Sequence, residues 1–191
     1  MTAAGRRSGT LEVVTAFPVR LFGDPVLRQR SKEVDELDGD LARLVDTMYD
    51  TMHDAMGLGL AAPQVGVLKR VYTYDLGDEP AVIINPEIVE SSGEWLYDEG
   101  CLSVPGMSFE IVRPKLVTVR GLDLDGKEVV IEGDERMGRL IQHEIDHLDG
   151  VLLLDRLEPD VRKQAMRDLR RAQLDATFAA AVGGPDAAGR L

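Results

Sequence analysis

The chain has 191 residues, which is the usual size of one domain, so we expect a single domain over residues 1–191. Apolar residues make up 44% of the chain and charged residues 29%, which excludes a disordered or fibrous protein. The formal net charge of -12 argues against broad binding of DNA.

Both ends of the chain are poor in core-forming side chains, so residues 1–12 and 183–191 are predicted to be mobile tails. No segment is apolar for long enough to form a signal-peptide core or to cross a membrane. Cys101 is the only cysteine, which excludes an intramolecular disulfide and suits a reducing compartment. These features predict a cytoplasmic protein.

The first predicted element is an amphipathic helix between Asp38 and Ala55, whose apolar residues recur at intervals of three and four. It leads into a Gly-rich loop, GLGLAAPQVG. Four strands are then predicted, because each segment is rich in β-branched residues and bounded by Gly, Pro or Asp. They are VLKRVYTYDL, PAVIINPEIVE, KLVTVRGLDL and KEVVIEG. The Asp-Gly pair in LDGK predicts a tight hairpin turn between the last two.

Two helices are predicted after the strands. From Asp134 the apolar period is again that of a helix, which would begin at this acidic cap. Pro159 is placed in the first turn of a last helix, predicted over residues 159–182. Because helices and strands do not alternate one for one, we expect an α+β fold with antiparallel β-sheets packed around the first of these helices and the second at the C-terminal end.

The central predicted helix carries an H-E-x-x-H motif formed by His143, Glu144 and His147. Residues four apart lie one turn above each other on a helix, so both imidazoles can bind one metal ion. Glu144 would lie beside the metal, where its carboxylate can take a proton from water. The alternative is a chance match on a solvated helix face, although the apolar neighbours indicate a largely buried helix.

A catalytic metal site needs a third protein ligand. Leu153 stands where the long zinc-protease pattern HExxHxxGxxH has its third histidine, which excludes that protease class. His53 is more simply a surface residue of the first helix, while Asp155 and Glu158 could bind only if the chain folds back. Cys101 offers a thiolate suited to Zn²⁺ or Fe²⁺, but a lone cysteine is usually a small buried hydrophobic residue.

Three segments taken together resemble the peptide deformylases. They are Gly57–Gln64 (GLGLAAPQ), Glu99–Ser103 (EGCLS) and His143–His147 (HEIDH), which match the family's motifs in order and spacing. The likeness continues through LFGDPVLR and GVLLLDRL. The resemblance implies a metal-dependent hydrolase that removes the formyl group from the N-formylmethionine of newly synthesised polypeptides and releases formate. It implies one divalent metal ion per chain, natively Fe²⁺, with Zn²⁺, Ni²⁺ or Co²⁺ as replacements.

The resemblance also implies the roles of individual residues. Glu144 would transfer the proton, and the side-chain amide of Gln64 and the backbone N–H of Leu102 would stabilise the charged oxygen of the intermediate. Arg113 is predicted to pair with Glu99 or Asp146 behind the metal ligands. The metal ligands themselves would be Cys101, His143 and His147.

Substrate contacts are expected mainly from the Gly-rich loop. The peptide would lie extended along Gly59, and Leu58, Tyr97 and Leu140 would form an apolar pocket for the methionine side chain. Many family members have an arginine seven residues after the cysteine, where this chain has Ser108. That substrate contact is therefore absent here or supplied by another residue.

The last predicted helix combines an apolar stripe with a basic face, whose residues are Arg162, Lys163, Arg167, Arg170 and Arg171. In an acidic chain this face is either an ordinary solvated surface or a contact site for the ribosome.

Two other functions stay open from the residues alone. A small H-E-x-x-H metalloprotease or amidase would use the same site on internal peptide bonds. A non-catalytic metal-binding or ribosome-associated module would hold the metal structurally, but one cysteine and two histidines leave a tetrahedral shell unfilled.

Overall fold

The computed structural model describes residues 16–77 and 80–182, with the backbone alone for residues 179–182. The predicted mobile tails, 1–12 and 183–191, lie outside the described residues. The helices are α1 (Gly39–Asp54), α2 (Glu135–Leu148) and α3 (Pro159–Val182). The strands are β1 (Gly59–Ala61), β2 (Val71–Tyr74), β3 (Ala81–Ser92), β4 (Trp95–Cys101), β5 (Val104–Arg113), β6 (Leu116–Leu122) and β7 (Glu128–Asp134).

The strands form two antiparallel sheets. One has five strands in the order β1-β2-β3-β6-β7, and the other is the hairpin of β4 and β5. All four predicted strands lie in the larger sheet, and the predicted turn joins β6 to β7 with Gly126 at φ +76. The α+β prediction, with antiparallel sheets and a C-terminal helix, is confirmed.

Strands β1, β4 and β5 were missing from the sequence-based prediction. Strand β1 has only three residues and lies in the segment predicted as a loop, so that part of the prediction was wrong. Strand β4 exposes most of its side chains, and β5 contains Pro105 and Gly106. Strand β4 lacks the apolar alternation that marks a half-buried strand. In β5 the alternation is present at Met107, Phe109 and Ile111, after the Pro-Gly pair, and the sequence analysis missed it.

Helix α1 begins where the sequence predicts. Asp38 is its N-cap, and Oδ1 of Asp38 accepts a hydrogen bond from the backbone N–H of Leu41 at 2.9 Å. The buried face of α1 packs on β1 and β2, with Leu41, Val45, Met48 and Met52 fully buried. This packing fixes the segment that follows α1, which contains Gly59 and Gln64.

Helix α2 is the central helix of the fold and is buried along most of its length. Its apolar face packs on the larger sheet, where Ile141 and Leu148 are fully buried. Asp134 occupies the position before the helix, but its side chain makes no capping hydrogen bond, contrary to the expected acidic cap. Asp134 is instead the last residue of β7, paired with Leu116, so the strand runs directly into the helix.

Helix α3 begins at Pro159, as predicted, and the buried side chains among its described residues lie in its first half. Ala165 and Leu169 are buried against Val104 and Leu154. The predicted apolar stripe is not a continuous packed face, because only two of its five members are buried and the other three are exposed: Val161, Ala172 and Ala176. Within residues 16–77 and 80–182, no helix is long and apolar enough to cross a membrane.

Candidate metal centre

Helix α2 and the end of β4 bring three ligand atoms together. His143 and His147 lie one turn apart on α2, with their rings at 76° and the ring centroids 4.9 Å apart. Sγ of Cys101 lies 3.2 Å from Nε2 of His147. One ligand atom from each of the three residues falls within 4.8 Å of the others. The structure therefore places the lone cysteine beside the histidine pair.

The orientation of His143 is fixed from behind by Glu99. Nδ1 of the ring lies 2.6 Å from Oε1 of Glu99, which is buried on β4 two residues before Cys101. A carboxylate that accepts from one ring nitrogen turns the other toward the metal position. His143 therefore presents Nε2 to the same space as Cys101.

Arg113 contacts both carboxylates that the sequence offered as its partners. Its Nε and Nη2 each donate to Glu99 at 2.7 Å, and its Nη1 donates to Asp146 at 2.9 Å. Burial alone would raise the pKa of Glu99, but the hydrogen bonds from Arg113 and His143 hold that pKa far below its usual range. Glu99 is therefore a permanent carboxylate behind His143.

The surroundings of Cys101 favour a thiolate. Burial opposes ionisation, but the neighbouring His147 and His143 outweigh it and hold the pKa of the Cys101 thiol well below its usual range. A thiolate is the form in which cysteine binds metal ions. Two imidazoles and one thiolate fit Zn²⁺ or Fe²⁺, and three protein ligands leave the fourth position that a catalytic site needs.

Glu144 is buried at the same site, with an exposed fraction of 3%. Its Oε2 has no hydrogen-bond partner among the described residues. Burial raises the pKa of Glu144 to about 7, although the two neighbouring histidines act in the opposite direction. A carboxyl group with this pKa can both take and return a proton near neutral pH.

Gln64 presents its amide nitrogen to the ligand group. Its Oε1 accepts a hydrogen bond from the backbone N–H of Ala61 at 2.8 Å, which fixes the direction of the amide. The Nε2 then lies 3.3 Å from Oγ of Ser103 and 3.9 Å from Sγ of Cys101. The short 3-10 turn Ala62–Val65 thus provides a side-chain donor at the site.

A cleft of about 670 Å³ opens over these residues. Its lining includes all the residues predicted to contact substrate, together with Leu102 and Ser108. Among the predicted pocket residues, Leu140 is buried, whereas Leu58 and Tyr97 are 43% and 54% exposed. The predicted pocket is therefore closed at its base by Leu140 of α2 and open to solvent at Leu58 and Tyr97.

Trp95 and Arg139 are among the lining residues that were missed from sequence. The ring of Trp95 stacks on that of Tyr97, with centroids 4.7 Å apart and planes at 12°. Residues two apart share one face of a strand, so a correct prediction of β4 would have revealed this pair. No local signal marks Arg139, because it lies on α2 and its hydrogen-bond partners lie on β4 and β5, far away in the sequence.

The other candidate ligands lie elsewhere. Nε2 of His53 is 3.0 Å from Oδ2 of Asp75, and both side chains are at least partly exposed. Asp155 contacts Arg28 and Arg162 and is not part of the ligand group. Glu158 is exposed just before α3.

Comparisons with known proteins show which family this chain resembles. The family described as "Polypeptide deformylase" matches residues 16–163. A peptide deformylase of Acidothermus cellulolyticus is 46% identical over 156 residues, which span 82% of this chain and 87% of that protein. A peptide deformylase of Agathobacter rectalis is 50% identical over 140 residues, or 73% of this chain and 89% of that protein.

Solved structures give the same result. A crystal structure of a peptide deformylase from Legionella pneumophila superposes with a TM-score of 0.81 at 43% identity, covering 85% of this chain and 98% of that one. A peptide deformylase from Synechococcus elongatus in complex with actinonin has a TM-score of 0.76 at 39% identity, covering 80% of this chain and 86% of that one.

Proposed function

The chain belongs to the polypeptide deformylase family, and we propose that Cys101, His143 and His147 hold its metal ion while Glu144 transfers the proton. The family places the chain among the metal-dependent hydrolases that remove formyl groups from newly synthesised peptides. The observation that carries the residue assignment is the convergence of the three ligand atoms within 4.8 Å beside a buried carboxylate.

The reaction hydrolyses a linear amide. Water adds to the formyl carbon, the bond between that carbon and the amine nitrogen breaks, and formate leaves while the nitrogen gains a proton. When bound, the metal ion supplies Lewis-acid chemistry, which polarises the carbonyl group and lowers the pKa of water. Glu144 takes a proton from the water at one of its carboxylate oxygens and returns it to the departing nitrogen.

The developing negative charge on the former formyl oxygen needs fixed donors. Nε2 of Gln64 is one, since the hydrogen bond from Ala61 already fixes the amide in the required direction. The backbone N–H of Leu102, next to Cys101 on the cleft wall, is the other. A donor that the fold already holds before substrate binds, as it holds Gln64, avoids the cost of reorganisation.

The substrate peptide occupies the cleft. Its backbone lies extended along Gly59 on the edge strand β1, where main-chain hydrogen bonds do not depend on later side chains. The methionine side chain enters the pocket formed by Leu58, Tyr97 and Leu140. Broad tolerance of the rest of the peptide follows from this arrangement.

The native ion in this proposal is Fe²⁺, with Zn²⁺, Ni²⁺ and Co²⁺ able to replace it. A thiolate and two imidazoles accept all four ions, so availability decides which one is bound. Metal analysis of protein purified without oxygen tests the choice. A single equivalent of zinc and full activity in that sample would contradict it.

Formate release tests the function directly. The substrate is a short N-formylmethionyl peptide, the control is the N-acetyl peptide, and metal content is measured on the same sample. We expect release from the formyl peptide alone and loss of both metal and release in Cys101→Ser. A metal-loaded protein that releases no formate would refute the catalytic assignment, and internal cleavage of either peptide would indicate a protease.

The ribosome is the proposed partner, and the cytoplasm the proposed compartment, because the substrate is a nascent peptide. The basic face of α3 supports contact with RNA, since Arg167, Arg170 and Arg171 are all exposed along a groove beside Leu174. Co-sedimentation with ribosomes should weaken in Arg167→Glu/Arg171→Glu and not in Lys127→Glu, a charge reversal in an exposed turn. Equal co-sedimentation of all three proteins, or none, would contradict the proposal.

A single catalytic domain over the whole chain is the proposed organisation. The ligands come from β4 and α2, and the cleft is completed by the segment after α1, so the site draws on widely separated segments of one chain.

A further inference from the structure

Arg139 joins α2 to both strands of the two-stranded sheet. It lies one turn before His143 and is 6% exposed. Its Nη1 donates to Oε2 of Glu99 at 2.5 Å, and its Nη2 donates to the carbonyl oxygens of Trp95 at 3.1 Å and Ile111 at 2.9 Å. The guanidinium is therefore held in one orientation by β4 and β5.

The same guanidinium packs under the aromatic wall of the cleft. Its central carbon lies 5.1 Å from the centre of the Trp95 ring and 5.9 Å from that of Tyr97. Both distances are within the range of a cation–π interaction. Arg139 thus contacts the wall of the substrate cleft and the Glu99 carboxylate at once.

Glu99 receives donors on both oxygens. Its Oε1 accepts from Arg113 and lies against His143, and its Oε2 accepts from Arg113 and Arg139. Arg113 reaches it from β5, whereas Arg139 and His143 reach it from one face of α2, because they are four residues apart. Arg139 therefore ties Glu99 on β4 to the helix that carries the histidine.

We propose that Arg139 is a positioning residue, which holds Glu99 so that the Nε2 of His143 stays directed at the metal and which couples that hydrogen bond to the Trp95–Tyr97 wall. The inference rests on the metal ligands proposed above. Removing Arg139 takes away the α2 donor to Oε2 of Glu99 and leaves the carboxylate bound by Arg113 and His143. The remaining link through Arg113 reaches α2 only indirectly, at Asp146, so the carboxylate and the His143 ring that it orients are held less firmly.

The test compares Arg139→Lys and Arg139→Met with the wild type and with a control, Arg120→Met. Arg120 is an exposed arginine on β6 of the five-stranded sheet. Cobalt affinity is measured by chelator competition without oxygen, and the visible spectrum of the Co²⁺-loaded protein reports the ligand geometry. The ¹⁵N signals of labelled histidine in the Zn²⁺-loaded protein report which ring nitrogen of His143 carries the proton. Thermal stability is measured on every sample.

We expect Arg139→Met to weaken Co²⁺ binding by about tenfold to a hundredfold and to shift the visible bands. Arg139→Lys should fall between it and the wild type, and Arg120→Met should equal the wild type. If Arg139→Met does not fold, Arg139→Lys decides. The proposal would be overturned if Arg139→Lys were less stable but kept the wild-type Co²⁺ affinity, visible bands and histidine signals. A purely structural role of Arg139 predicts that result.

If the proposed metal ligands are themselves wrong, the same measurements give a different result. If Cys101→Ser and the wild type have the same Co²⁺ spectrum, the metal is not at the proposed ligands, and the role of Arg139 falls with them. A changed spectrum in Cys101→Ser together with an unchanged one in both Arg139 variants would reject only the positioning role.

Discussion

The α-carbon of Gly59 lies directly against the carboxylate of Glu144. A Cβ at residue 59 would stand 2.9 Å from Cδ of Glu144 and closer still to Oε1, a separation that real Cβ atoms do not show. Glycine at this position on β1 is therefore what allows the proton-transfer group to stand beside the proposed peptide strand.

Gly59→Ala should lower kcat/KM for a formylmethionyl peptide by about a hundredfold, because it displaces Glu144 by an ångström or more. Metal content should be unchanged. Gly39→Ala is the control, since its new Cβ meets only the Arg43 side chain at 3.4 Å. An active Gly59→Ala enzyme would show that Glu144 can work from another position.

Glu144→Gln should retain the metal and the fold but lose proton transfer. We expect kcat to fall by about a hundredfold to ten-thousandfold, the usual contribution of a positioned acid/base. Stability should stay equal or rise, since the change removes a group that is costly to bury as a charge. Steady-state kinetics and metal analysis check this, with Glu132→Gln on an exposed strand position as the control. Near-wild-type kcat would exclude Glu144 from the chemistry.

Gln64→Ala should reduce kcat by about a hundredfold to a thousandfold and change KM less, because the amide stabilises charge that develops only in the transition state. Stability should also fall by roughly 1 kcal/mol, since the buried N–H of Ala61 loses its acceptor. The matched control is Gln173→Ala, an exposed amide on α3 that donates to the carbonyl of Phe22. A change confined to KM would make Gln64 a substrate-binding residue.

Asp155 should contribute a pH-dependent part of the stability. Burial acts against ionisation, but hydrogen bonds from Arg28 and the backbone of Leu152 lower the pKa of Asp155 below its usual value. A carboxyl with a lowered folded-state pKa stabilises the fold above its unfolded pKa and loses that effect as pH falls through the folded value. Asp155→Asn should therefore cost about 1 kcal/mol at pH 7 and much less near pH 3.

Urea unfolding at the two pH values measures the Asp155 effect. Asp125→Asn is the control, because its pair with Lys127 lies in an exposed turn and should contribute little. A cost for Asp155→Asn that is the same at both pH values would show that the carboxylate charge is not the stabilising feature.

Metal removal should lower the melting temperature, because a ligand that binds only the folded state stabilises it. Chelation followed by reloading with Zn²⁺ should restore the original value in the wild type. Cys101→Ser should show a smaller response to both steps, as it lacks the thiolate. Identical responses in the two proteins would place the stabilising metal elsewhere.

Local patterns in the sequence predicted much of the fold and part of the site. The period of α1 and α2, the four strands of the larger sheet and the start of α3 at Pro159 depend on neighbouring residues, and they are present as predicted. The pairing of His143 with His147 is equally local, since a spacing of four fixes two side chains on one helix face. Resemblance to a family, and not spacing, selected Cys101.

Only the tertiary structure decided which distant groups meet. Cys101 and His147 are 46 residues apart, Glu99 and His143 are 44 apart, and Arg139 and Glu99 are 40 apart, yet all lie in contact. No periodicity encodes such contacts, because they arise from packing the β4–β5 hairpin against α2. Strand β4 of that hairpin has no apolar alternation, since it exposes most of its side chains, whereas β5 alternates only from Met107 onward.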